Sequence, residues 1–309
     1  MKKLSLEKLP ALFAAIAEKE TLYLPVDTET GAKYTRFCEG MTLSSALNTV
    51  RSAKDFFFPQ TENLVEFKME GKSIEVIDPR TESEDFVVFG VRSCDARSFS
   101  ILDKVFLADP VDTYYKNRRE HGTIVSMACT RPQETCFCGT FDIDATDPEG
   151  DVASWKTEDA IYFDAKTEKG GALLAALSDL LSDADSDAVN AQKEETKKIL
   201  AKLPLKDLTT DGFGGDVMME KFNAPEWKSL SEACLGCGTC TFVCPTCQCY
   251  DIKDFNTGHG IKRFRCWDSC MYSDFTKMAH GNPRTSQLER FRQRFMHKLV
   301  YFPANNNGE

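Results

Sequence analysis

The chain contains no long hydrophobic run. None of its 309 residues belongs to a stretch of the roughly 18 to 20 uninterrupted apolar residues that a membrane helix needs, so no membrane span is expected. The opening MKKLSLEKLPALFAAIAEKE alternates charged and apolar residues at helical spacing and lacks the continuous apolar core of a signal peptide, which makes the cytoplasm the expected location. Histidine is scarce: His121, His259, His280 and His297 are scattered, and each is expected on the surface or packed rather than as a ligand. There is no C-x-x-C-H for haem attachment and no nucleotide-binding loop, because GFGGD at 212–216 has no strand and helix of the right length around it. No catalytic constellation is recognisable either, so no catalytic residue is assigned. A strongly basic balance is also missing, the formal net charge being −10, and nucleic acid is not an expected partner.

Cysteine, by contrast, is abundant. Thirteen are present, and most fall into two groups: Cys129, Cys136 and Cys138, then Cys234, Cys237, Cys240, Cys244, Cys247, Cys249, Cys266 and Cys270. A reducing compartment keeps thiols free, so dense spacing there reads as metal binding or redox chemistry rather than a disulfide scaffold. The segment from Cys234 onward carries more Lys and Arg than Asp and Glu, whereas the rest of the chain is strongly acidic. The runs KRFR (262–265) and RFRQR (290–294) would serve either as solvated faces or as compensation for the negative charge of thiolate-bound iron.

With 42% hydrophobic against 28% charged residues the chain has material for two domains. Residues 1–225 are expected to form an α/β domain. DFVVFGV (85–91) and GTIVSMA (122–128) have the composition of buried strands, and the helical spacing between them predicts a right-handed βαβ unit with parallel strands. Cys94 would then follow the first strand and Cys129 the second at their carboxyl ends, where open parallel sheets bind ligands. Cys136 and Cys138, from the loop after Cys129, would bring the count to four thiolates, enough for one cubane cluster. The alternative is that Cys94 is a small buried hydrophobe and the Cys-Phe-Cys segment binds zinc or nothing. GALLAALSDLL and AQKEETKKILAK, between 166 and 202, read as helices covering the sheet, and TTDGFGGD (209–216) as a linker.

Residues 226–309 are expected to form a smaller, mostly helical and loop-rich ferredoxin-type domain. CLGCGTCTFVCPTCQC, starting at Cys234, contains C-x2-C-x2-C-x3-C-P over Cys234, Cys237, Cys240 and Cys244, the spacing of bacterial [4Fe–4S] ferredoxins. Gly236 and Gly238 would let the backbone approach a cluster closely, and Pro245 would turn the chain away. Zinc sites typically use two separated cysteine pairs, a poor match to three closely stepped cysteines followed by Cys-Pro. Cys247 and Cys249 follow at once. Cys266 and Cys270 would share one face of a helix at i and i+4, giving a further cluster with Cys247 and Cys249, or with Asp268 as a substitute ligand. Trp267, Met271 and Phe275 could equally be ordinary helix packing.

CLGCGTCTFVCPTCQCYD, RFRCWDSCMYSDFTKMAHGNPR and RFRQRFMHK, together with RSCD and TCFCG upstream, resemble the beta subunit of sulfhydrogenases and the corresponding [4Fe–4S] dicluster subunit of anaerobic sulfite reductases. The same type occurs with heterodisulfide-reductase-like and formate-linked complexes, and the likeness spans about residues 50–305. The resemblance implies a non-catalytic relay with two or three [4Fe–4S] clusters, passing electrons between a flavin- or NAD(P)H-handling subunit and a catalytic oxidoreductase subunit. In that family a second C-x2-C-x2-C-x3-C-P follows the segment matching HKLVYFPANNNGE, whereas this sequence stops at Glu309. Either Cys244 closes the first cluster or the carboxyl terminus is incomplete, and the second explanation is preferred. Two rival readings stand beside the relay: a zinc-stabilised interaction module, and a substrate-reducing iron–sulfur subunit with an open site at the Cys-Phe-Cys cluster.

Overall fold

In the computed structural model, which describes residues 1–308, the first half of the chain runs β1 (Lys2–Ser5), α1 (Leu9–Ala17), β2 (Thr21–Thr28), β3 (Gly31–Arg36), α2 (Lys54–Phe57), β4 (Thr61–Glu70), β5 (Ser73–Ile77), β6 (Phe86–Arg92), α3 (Ser93–Phe106), α4 (Thr113–His121) and β7 (Gly122–Met127). It continues with β8 (Val152–Lys156), β9 (Ala160–Ala165), α5 (Glu168–Ala176), β10 (Ser182–Asp183), α6 (Asp187–Leu200), α7 (Met218–Phe222), α8 (Glu226–Ser231), α9 (Thr239–Phe242), β11 (Tyr250–Asn256), β12 (Gly260–Trp267) and α10 (Gln287–Met296). Among the described residues no helix is long and apolar enough to cross a membrane.

The expected βαβ unit is present, with two helices in the crossover instead of one. β6 pairs in parallel with β7, and both lie at the centre of an eight-stranded sheet ordered β10-β1-β9-β8-β7-β6-β2-β3. β2, β6, β7 and β8 are mutually parallel, while hairpin partners close the two sides. The run FVVFGV of β6 is apolar throughout because helices cover both faces. Val87 and Phe89 face a core shared with Leu12, Phe13 and Ile16 of α1 and Leu173 and Leu174 of α5. Phe86 and Val88 face the opposite core, with Phe99 and Leu102 of α3 and Tyr115 of α4.

Strict alternation would send Val91 to the first core, yet it packs in the second. The pairing register of β6 slips between Phe89 and Val91, around Gly90 at φ +82°. That bulge inserts one residue and resets which way the following side chains point, just before Cys94. A side chain at Gly90 would also meet the Pro25 ring at 3.2 Å.

The second sheet departs most from the sequence-based picture. It has four antiparallel strands in the order β11-β12-β4-β5, so a hairpin from residues 250–267 joins a hairpin from residues 61–77. Backbone hydrogen bonding is therefore continuous across the sequence division at 225. The expected helix carrying both Cys266 and Cys270 does not exist: Cys266 is in β12 and Cys270 lies in the turn beyond it. GIKRFRCW reads equally well with period two, and along it Arg265 and Trp267 are buried while the residues on either side of Arg265 are less so. Two strand partners, β11 and β4, satisfy its backbone in a way that one helical turn could not match.

Trp267 completes the second core by stacking on Phe58 at 5.9 Å between ring centroids, and its indole N–H donates to the Phe58 carbonyl at 3.2 Å. Arg265 is 2% exposed and sits in an ionic cluster: its Nε donates to Glu62 at 2.8 Å, its Nη1 pairs with Asp112, and Arg118 donates to the other Glu62 oxygen at 2.6 Å. Lys262 and Arg263 likewise meet Glu66 and Asp254. These three charges of the KRFR run are thus spent within the small sheet and its contacts.

Deleting one partner of a buried ion pair strands the other, at a cost of about 3–5 kcal/mol. Arg265→Ala is expected to lower unfolding stability by about that amount. Denaturant unfolding of the two proteins side by side measures it; Arg263→Ala, whose pair is exposed, is expected to leave the unfolding midpoint close to that of the unmodified protein.

Candidate metal centre

Two groups of thiols stand at the carboxyl ends of strands or beside them. Cys94 is the second residue of α3, directly after β6. Cys129 follows β7, buried, its N–H donating to the Ala145 carbonyl at 2.8 Å and its carbonyl accepting from the Thr196 hydroxyl of α6 at 3.2 Å. Cys136 and Cys138 come from the loop beyond, where the backbone N–H of Gln133 donates to the Cys136 sulfur at 3.3 Å. The four are close enough to repel one another as thiolates. Desolvation of the Cys94 thiol by its packed neighbours, followed by the charges of Asp95, Cys138 and Cys129, pushes it up to about 12 although the residue keeps solvent contact. Burial takes Cys129 up to about 11, with Cys138 and Cys136 adding and Arg92 opposing. Thiols that resist ionisation as Cys94 and Cys129 do are ones whose charge a bound cation would relieve.

The second group is built on the loop from Cys234, helix α9 and the ends of the β11–β12 hairpin. Gly236 and Gly238 both adopt the left-handed conformation, at φ +69° and +74°. The sequence explains these glycines by close approach to a cluster; in the fold they also make room for protein. A Cβ at Gly238 would lie 2.7 Å from the Tyr272 ring, whose hydroxyl donates to the Cys237 carbonyl at 3.2 Å. A Cβ at Gly236 would meet the Gln287 amide at 3.0 Å, and that amide donates to the Cys234 sulfur at 3.2 Å. Cys237 Sγ lies 3.4 Å from the Thr239 hydroxyl, whose hydrogen bond lowers its pKa. Burial raises Cys240, and the charges of Cys234, Cys270 and Cys237 add to it against Arg294.

Further along, Cys244 and Cys247 lie side by side. The Cys247 thiol donates to Cys244 and holds it well below the ordinary thiol range despite burial, with Lys298 helping, while Cys247 is raised correspondingly. Lys298 Nζ donates to the Cys244 sulfur at 3.2 Å and Arg294 to the Cys247 sulfur at 3.3 Å. Cys249 and Cys270 form a second such pair, Cys270 donating. Hairpin geometry brings them together: Cys249 directly precedes β11, Asp268 directly follows β12, and the Asp268 N–H donates to the Cys249 carbonyl at 2.9 Å. The Asp268 charge acts on Cys249 as well. Cys266 stands apart on β12, opposite Asp251 and Thr61. Among the described residues no three His, Cys, Asp or Glu side chains converge as a single bound ion would require.

A family profile described as "4Fe-4S dicluster domain" matches residues 233–309. Sulfhydrogenase 2 subunit beta of Pyrococcus furiosus is 32% identical to this chain over 305 residues, covering 97% of this chain and 89% of its own length. The chain belongs to the sulfhydrogenase beta-subunit family. It is an iron–sulfur electron-transfer subunit of an oxidoreductase, and the expected [4Fe–4S] clusters follow from its dicluster domain. No solved structure matches the chain.

The donor set of this family member fits such clusters. Its thiols come in groups on tight, glycine-bearing loops, and Cys244 is already biased toward the thiolate by the neighbouring Cys247 thiol, Lys298 and Thr246. Three contributors carry no cysteine signature, and only the last of them was illegible in the sequence. Gln287 opens α10, which is fixed by the Ser286–Glu289 capping box, a signal that S-x-x-E could have revealed. Lys298 follows from the helical continuation of α10. Lys54 of α2 reaches the Cys244–Cys247 loop from 190 residues away and nothing local announces it.

Gly238→Ala adds a Cβ against Tyr272 in a backbone region costing about 1–2 kcal/mol for an L-residue. Iron bound per chain and visible absorption are expected to fall in this variant, whereas Gly171→Ala, in open space on α5, is expected to retain both at the level of the unmodified protein.

Proposed function

We propose that the chain relays electrons within a hydrogenase-type complex, between a flavin- or NAD(P)H-handling subunit and a catalytic subunit, and that both thiol groups are cluster sites. Cys94, Cys129, Cys136 and Cys138 would hold one cluster. Cys234, Cys237 and Cys240, with Cys244, Cys247, Cys249 and Cys270, would supply the others, and Asp268 and Cys266 are the remaining candidates. A [4Fe–4S] cluster accepts and returns one electron at a time. The chain's contribution is to hold the thiolates, exclude bulk water from them and set the charge around them.

One observation supports this reading: the Asp95 carboxyl lies within electrostatic reach of a thiol from each group, Cys94 and Cys244. Asp95, next to Cys94, and Val243, next to Cys244, both line a void of about 160 Å3 together with Ser52 and Arg92. Burial raises Asp95 to about 6, and the charge of Cys244 adds to that rise, while Asp95 in turn raises Cys94, so the carboxyl between the groups senses both. A relay needs redox sites adjacent to one another within one body, and the sheet spanning residues 61–77 and 250–267 joins the segments that bear them. The relative's name, sulfhydrogenase, supports hydrogen as the complex's substrate.

Anaerobically purified protein is expected to hold about eight to twelve irons per chain with matching acid-labile sulfide, and an electron paramagnetic resonance signal on reduction. Zinc without sulfide would point instead to a structural metal module. In the assembled complex, Cys237→Ala is expected to abolish electron transfer between partner subunits while circular dichroism of the α/β region is kept; transfer at the normal rate would defeat the relay.

A further inference from the structure

Lys54 is a buried charge whose nearest acting carboxylate, Asp55, is itself paired with Arg51. It is 1% exposed, on a single-turn helix between Ala53 and the buried rings of Phe57 and Phe58. Its ammonium donates to the carbonyl of Cys244 at 3.0 Å and to that of Cys247 at 3.0 Å, and lies 3.8 Å from the centre of the Trp267 ring. None of those three partners bears a formal charge. Burying a lysine costs several kcal/mol unless an anion offsets it. The two cysteines whose carbonyls it holds are also the two whose sulfurs receive Lys298 and Arg294. Three cations from two distant parts of the chain therefore surround one pair of sulfurs, two from the sulfur side and one from the backbone side.

The three are not equivalent. Lys298 and Arg294 are half-buried on the α10 side, where solvent and salt moderate their fields. Lys54 is fully enclosed, and a charge in such surroundings acts through an effective dielectric well below that of water. Its position is fixed by two hydrogen bonds and a ring contact, so its field does not depend on side-chain freedom. A thiolate-bound iron–sulfur group becomes more negative by one charge on reduction, and a fixed cation beside it favours that state.

We propose that Lys54 is a positioning residue for the Cys244–Cys247 loop whose buried ammonium raises the reduction potential of the cluster that these cysteines help to hold. The inference rests on the reading of Cys244 and Cys247 as cluster ligands. The step concerned is the gain of one electron by that cluster from a one-electron donor, which is oxidised by one electron.

The test is a dithionite titration of the full, anaerobically purified chain, followed by electron paramagnetic resonance, comparing the unmodified protein with Lys54→Gln and Lys54→Arg. If the unmodified protein shows no iron–sulfur signal, it is the cluster assignment that fails, before Lys54 is tested. Given that signal, Lys54→Gln, which keeps a donor and loses the charge, is expected to move one midpoint potential downward by about 59 mV, a tenfold change in the oxidised-to-reduced ratio. The other potentials are expected to stay in place, and Lys54→Arg to recover most of the shift. Loss of one cluster's iron from the Gln variant would overturn the proposal in favour of a role in holding the cluster. Unchanged potentials at full iron content, an equal shift of every cluster, or iron loss from both variants would overturn the proposal.

Discussion

Pairing of β12 with β4 is the constraint on which the cysteine-rich half depends. It carries Trp267 into a core built by α2, α3 and α4, and Arg265 into contact with Glu62 and Asp112. Neither residue could be buried by its own segment: Trp267 needs Phe58 and Phe242 on either side, and Arg265 needs two carboxylates that lie about 150 and 200 residues away in sequence. Because the hairpin is anchored there, its two ends meet at a defined place, and that is where Cys249 and Cys270 come together. Thiols held this way are positioned by a sheet rather than by a free loop.

The electrostatics follow from the same frame. Thiolates crowded together destabilise one another, and the fold answers with charge brought from separate elements: Arg294 and Lys298 from the carboxyl-terminal helix, and Lys54 from the α/β region. The two basic runs diverge in use. KRFR lies on β12, where its cations meet carboxylates of strands β4 and β11 and of the α4 cap. RFRQR lies on α10 and places Arg294 against sulfur, while Arg292 rests on the Phe222 ring at 3.6 Å. Sequence composition offered both runs the same set of roles; strand pairing for one and a helix face for the other separated them.

At the amino-terminal thiol group the decisive element is the bulge at Gly90. Without the inserted residue, alternation would turn Val91 toward α1 and α5, and the residues that follow it into α3 would start from the opposite facing. Arg92 then braces the neighbouring loop, donating to the carbonyls of Leu47, Ala46 and Ala128. The site is thereby assembled from a strand end, a helix start and two loops, each held by backbone hydrogen bonds.

The sequence by itself determined the class of chemistry and the strands nearest to it. C-x2-C-x2-C-x3-C-P is a local pattern, since adjacent residues on one loop supply most of its ligands, and the apolar runs at 86–91 and 122–127 can be buried only as central strands. The parallel order of those strands and the placement of Cys94 and Cys129 at their ends followed from chain handedness. Tertiary structure alone decided that Cys266 belongs to a strand and Cys270 to the group around Cys240, because a short amphipathic run such as KRFRCWDSC fits period two and period 3.6 alike until partners claim its backbone. It alone placed Lys54 against the Cys244–Cys247 loop, since a buried charge is justified by what surrounds it in space, and its surroundings here come from the far end of the chain.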